Sequence, residues 1–471
     1  MKPRHMAAFS AGALALSVVA VSCGGLAPTA DAGTGGGSTA TGGGGGSTPS
    51  GVTGAFVSGK CGLGTARYAL TSGSGTISSV AGQATAADQS VVCAANDGTS
   101  VTVTDATITK TGDTSSEDDS SFFGRNAAVL AYGSSDKTTS GGAVRVVGGK
   151  ITTTAHGGNA LFAAGVGATI TASDLVIDAA ATSAHGVEAA SGGSIELTNV
   201  SATTTGERSS VLATDRGGGT VTVKGGSFKA TGSRSAGIYS TGNITATDAT
   251  IETTGAEVIV VEGKNIATVT GCTLSSTNDE YHHGMLVYQS FSGDATVGHS
   301  TLTMKDGSYA YRSTTGAAIL VTNQTTTINM SGVELSNAGP TLLQAAAQEW
   351  GTSGSNGGKV TLNATDQTLV GNILVDSVST VNLVLVKSSL QGAIDAANSG
   401  SLVSLSLDGD SSWTVTVDSH LDVLSDAAGI SGTSVTNING GGHTVYYVSA
   451  KNTALGGKTY QLSGGGTLTP E

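Results

Sequence analysis

Residues Thr220 to Gly263 are one line written twice, TVTVKGGSFKATGSRSAGIYSTG followed by NITATDATIETTGAEVIVVEG. Each copy opens on an alternating strand (Val221 and Val223; Ile244 and Ala246). One apolar residue follows seven positions after the first (Phe228; Ile251). A polar corner then leads to a second apolar run (Ile238 and Tyr239; Val258 to Val261). A unit this short buries too little to fold alone and must stack on its neighbours.

The same signature recurs with first positions at Val101, Val144, Ala168, Ile195, Val221, Ile244, Ala267, Ala295, Ile328 and Val360. Period-2 strands, Gly-marked corners and no helical periodicity predict an all-β chain, a single right-handed parallel β-helix (solenoid) with N- and C-terminal caps. Ten coils at about 4.8 Å each give a rod on the order of 50 Å. Only 4% of residues are aromatic, too few for a compact globular core of this length, whereas a narrow channel is filled by Val, Ile, Ala and Leu. The recurring apolar registers argue against disorder in a chain with 72 Gly.

The expected organisation is a signal peptide over 1–22, a Gly/Ser/Thr tether over 23–54, an N-terminal cap over 55–100, coils over 101–401, and final coils with a C-terminal cap over 402–471. Residues Lys451 to Glu471 read as loosely held. Lys2 and Arg4 precede the apolar run Ala7 to Val21. The following Ala20-Val21-Ser22-Cys23 resembles a bacterial lipobox, which implies cleavage before Cys23 and its acylation. The expected location is therefore lipid-anchored at the cell envelope, facing the exterior. In a Gram-negative envelope, the lack of Asp after Cys23 directs the chain to the outer membrane. Cys61 and Cys93 are the disulfide candidates, with two free thiols as the alternative; Cys272 reads as a small buried residue.

Aligning the second strands gives a core set (Leu161, Val187, Val211, Ile238, Val258, Met285) and an outward set: Phe162, Glu188, Leu212, Tyr239, Ile259 and Leu286. Tyr288 belongs to the next outward row, and Asp215, Arg216 and Glu262 flank the ladder. Such a ladder is either covered by an insertion such as Gly112 to Gly124 or binds a ligand.

The coil pattern, with Ser-Ser-Trp-Thr-Val-Thr-Val-Asp-Ser near the end, resembles bacterial adhesin-like right-handed β-helix proteins of the pectin-lyase-like superfamily, close to autotransporter passenger domains. The resemblance covers about Val101 to Val448 and implies fold more than activity. Polygalacturonase-like members carry N-x-D, G-H-G and R-I-K, and this chain has none of them. Its one Asp pair, Asp118-Asp119, falls in a polar insert read as a flexible loop.

The favoured function is therefore a non-catalytic surface protein presenting the ladder to a glycan or protein partner. One alternative is a polysaccharide lyase or glycoside hydrolase using Glu188, Asp215, Arg216 and Glu262; another is an inert spacer. No cofactor is expected, with Ca²⁺ between Glu188 and Asp215 as the alternative to a solvated acidic face. His282 and His283 open a strand pointing to opposite sides and cannot share a metal ion. Loss of Lys2 and Arg4 takes the net charge from −13 to about −15, against nucleic acid as a partner and against membrane contact except through the lipid. Oligomeric state is left open.

Overall fold

The computed structural model describes residues 50–134 and 139–471, so the signal segment and Cys23 lie outside the described residues. Almost every described element is a strand, and most strands pair in parallel with the equivalent strand of the next repeat. Four sheets result, the fourth a 9-stranded one that holds C-terminal strands from Thr368–Val370 to Thr467–Pro470. Sheet A has 15 strands, running from Val52–Thr53 to Val423–Ser425; sheet B has 13, from Val57–Cys61 to Asn372–Val375; sheet C has 10, from Ala81–Ala84 to Glu334–Asn337.

The signature residues explain the stacking. In sheet A, Val101, Val144, Ile170, Ile195, Val221 and Ile244 sit in one inward row, each at most 2% exposed. In sheet C, Phe228 pairs with Ile251, the two residues found seven positions on. Burying each such side chain contributes roughly 1.5–3 kcal/mol, and the rows run without a break from coil to coil. The corner between sheets A and C needs a left-handed residue. Asp105 (φ 48°), Asp174 (54°), Asn199 (53°) and Asp248 (53°) fill it, alternating with Gly148, Gly225 and Gly271 (each 63°). Those are the residue types that tolerate this conformation.

Several boundaries differ from expectation. Ala168, Ala295 and Val360 are not the row members; Ile170, Leu302 and Leu362 are, because the preceding corners vary in length. The tether ends earlier than residue 54, since Val52 and Thr53 already pair antiparallel with Ile77 and Thr76. Parallel pairing begins inside the 55–100 region, where strand Gly64–Leu70 pairs with Gln89–Ala95. The last residues are packed, with Leu455, Tyr460, Leu462 and Leu468 buried and strand Thr467–Pro470 paired. Trp413 is fully buried and its indole N–H donates to the Gly392 carbonyl at 2.9 Å.

Cys61 and Cys93 are joined by a disulfide at the N-terminal end of sheet B, with Cα atoms 6.3 Å apart. Cys272 is free and buried. The polar insert is not a loose loop: Glu117–Phe123 form a short helix, α1, whose N-cap Ser116 accepts from the Asp119 N–H and whose C-cap is Gly124 (φ 67°). Asp119 is held at 2.6 Å by Arg125, and Glu117 Oε1 accepts from the Ser183 hydroxyl at 2.5 Å.

Candidate functional site

Sheet B carries the site on its outer face. The pairing places Leu130, Phe162, Glu188, Ala213, Tyr239, Val260 and Leu286 in one outward row. Leu212 and Ile259 are therefore not in it; they share the inward row with Leu161, Val187, Ile238 and Met285. Val211 and Val258, just before them, are buried in the same core at the corner. Two consecutive residues thus pack inward where the chain bends, and strict alternation counted through the corner slips by one.

Two covers lie over this row. At one end Gly124 closes on the ring of Phe162: a Cβ there would sit 2.7 Å from it, so only glycine fits the approach. Phe162 is consequently 0% exposed. At the other end Val260, Leu286, Tyr288, Leu320 and Trp350 form a second apolar cluster, joined by the partly buried Tyr239. The Tyr288 and Trp350 rings meet edge to face, 4.7 Å apart. Phe162 and Leu286 are thus sequestered, not presented as a free apolar ladder.

Between the clusters lie the acids. Glu188 stands in the outward row and Asp215 in the next, its N–H continuing the ladder to the Ala189 carbonyl at 3.1 Å. Glu262 is 1% exposed and accepts from four hydroxyls: Tyr239 at 2.6 Å, Tyr288 at 2.9 Å, Ser292 at 3.4 Å, and Ser290. Asp294 follows in the same loop as the serines and receives Arg216 through Nε (2.8 Å) and Nη2 (2.6 Å). Arg216 also lies 3.8 Å from the centre of the Phe122 ring, on α1.

Glu188 differs from its neighbours. It is 0% exposed, and neither carboxyl oxygen has a hydrogen-bond partner. Burial, then the nearby Asp215, push its pKa well above the usual range. Asp215, part of whose surface still reaches water, is also pushed up, by desolvation first and then by Asp294, against the lowering effect of the Arg216 N–H.

The sequence-predicted residues Glu188, Asp215, Arg216, Tyr239, Glu262 and Tyr288 are therefore brought together on one face. Asp294, Ser290, Ser292 and Phe122 complete the cluster and were not read from the sequence. The signal for the first three was the break in the strand pattern after Tyr288, where Gln-Ser-Phe-Ser-Gly-Asp interrupts an otherwise regular coil.

Elsewhere, His282 and His283 part ways: His282 Nδ1 lies 3.0 Å from the Thr315 hydroxyl, whereas buried His283 faces Glu257 at 3.2 Å. Among the described residues no three His, Cys, Asp or Glu side chains are placed to hold a metal ion, and no helix is long and apolar enough to cross a membrane. Comparison with family models, characterised proteins and solved structures gives no match.

Proposed function

We propose that this chain is an exported, Cys23-anchored protein of the outer envelope, built as a right-handed parallel β-helix, that binds glycans without cleaving them. Right-handedness follows from the strong preference of parallel strand crossovers. The observation that carries the binding reading is the composition of the sheet B cluster. Asp215, Arg216 and Asp294 reach solvent beside the partly exposed Tyr239, with Glu262, Tyr288 and Trp350 buried behind them against sheet B. Aromatic rings suit sugar faces, carboxylates suit sugar hydroxyls, and a rigid frame limits the ordering cost of binding. The lack of the N-x-D, G-H-G and R-I-K motifs of polygalacturonase-like chains is the support for binding without cleavage.

The enzymatic reading keeps one observation in its favour: Glu188 and Asp215 are neighbours with raised pKa values, the usual condition of a general acid. One experiment separates the readings. The protein is incubated with a polysaccharide panel, with and without Ca²⁺, while retention and new reducing or unsaturated ends are followed. Retention without new ends, lost in Tyr239→Ala, supports binding. New ends that vanish in Glu188→Gln establish an enzyme. Neither result leaves a spacer.

A further inference from the structure

We infer that the sheet B site takes an amino sugar bearing a free ammonium, with Glu188 as the ammonium acceptor; this rests on the glycan-binding reading above. Glu262 is saturated by hydroxyl donors, and Asp294 is paired with Arg216. Asp215 Oδ1 accepts from the Arg216 N–H at 2.6 Å. Only Glu188 is left with two free acceptor oxygens, fully buried, between Phe162 on one strand and the small Ala213 on the next. A buried carboxylate without a partner is costly unless a proton or a cation joins it.

The chemistry then narrows the ligand. The cluster holds four carboxyls (Glu188, Asp215, Glu262 and Asp294) to one guanidinium, in a chain of net charge −13, so anionic glycans are repelled. A neutral sugar leaves Glu188 to be met by hydroxyls alone. The described carboxyls do not converge as a metal site would require. An ammonium supplies three donors and a charge to Glu188 and Asp215, while its pyranose ring meets the exposed part of Tyr239 beyond Ala213. Because Glu188 is 0% exposed, entry requires the cover to open, and the half-exposed Arg216 side chain (48%), which links Phe122 and Asp294, is the contact proposed to give way.

The test is equilibrium binding of the full chain to glucosamine oligosaccharides, their N-acetylated counterparts, and glucose oligosaccharides of equal length. The free amines should bind roughly tenfold or more tighter than the acetylated forms, the factor of a hydrogen-bonded charge. Glu188→Gln, which keeps the shape and removes the charge, should abolish the difference; Asp215→Asn should reduce it, guarding against a misfolded first variant. Equal binding of all three sugars, or an unchanged preference in both variants, overturns the ammonium inference and leaves the glycan reading intact. Binding of none overturns both. Polylysine competing as well as the glucosamine oligosaccharides would reduce the preference to bulk acidity and overturn the inference too.

Discussion

The Arg216 guanidinium stacks 3.8 Å from the centre of the Phe122 ring, joining residues that lie in different coils. Because the same side chain holds Asp294, it ties α1 to the loop that carries Ser290 and Ser292. Arg216→Ala should therefore loosen both. The stability loss should be modest, about 0.5–1 kcal/mol, since the guanidinium is half exposed and screened by solvent. Hydrogen exchange should nonetheless accelerate in Glu117–Phe123 and in the loop from Ser290 to Asp294. Unchanged exchange in both segments would show that the covers are held by other contacts.

Glu188 makes stability depend on pH in a defined direction. Its folded pKa is raised above the unfolded value of roughly 4.3, so its contribution is complete below that pH and is lost as pH rises through the folded pKa. Asp215 acts with the same sign. Urea denaturation across pH should show wild type losing stability relative to Glu188→Gln as pH increases above about 4.3. Parallel pH profiles for the two proteins would contradict the buried, unpartnered carboxyl.

The disulfide closes a separation of 32 residues between Cys61 and Cys93. Chain-entropy reasoning assigns such a loop about 3–4 kcal/mol. The paired Cys61→Ala, Cys93→Ala variant should lose about that much, with proteolytic nicking concentrated near the N-terminal end. Loss of less than ~1 kcal/mol would mean that the sheet B rows hold that end without the bond.

The proposed membrane attachment is through a lipid on Cys23. Metabolic labelling with a fatty-acid analogue should mark the wild type and leave Cys23→Ala unlabelled. Label retained in the variant would refute lipidation at this position.

Much of the fold was legible because the repeat writes its own strand pairing: Val221 with Ile244 and Phe228 with Ile251 were paired in the sequence and pair in the sheets. Legibility failed where alternation gives no phase. Val258 to Val261 are four apolar residues in a row, and only the bend at the corner decides that Ile259 faces in and Val260 out. The same bend moved Leu212 inward. The insert around Asp118 looked like a loop because seven polar and aromatic residues carry no helical stripe; its cap at Ser116 and its contacts with sheet B fix it instead. The site was half visible. Asp215, Arg216 and Glu262 stood out as charges flanking the second apolar run of the repeat, while Asp294 reaches Arg216 across 78 residues, a distance no local pattern spans.

The central claim is that ligand engages the outer face of sheet B between the two covers. Hydrogen exchange of the full chain, with and without a glucosamine oligosaccharide, tests it most directly. The account predicts changes confined to Glu117–Phe123, Val187–Ala190, Ile238–Ser240, the turn at Asp215 and Arg216, and the Ser290 to Asp294 loop. Protection on the outer face of sheet A instead, with these five segments unchanged while the sugar is bound, would contradict it.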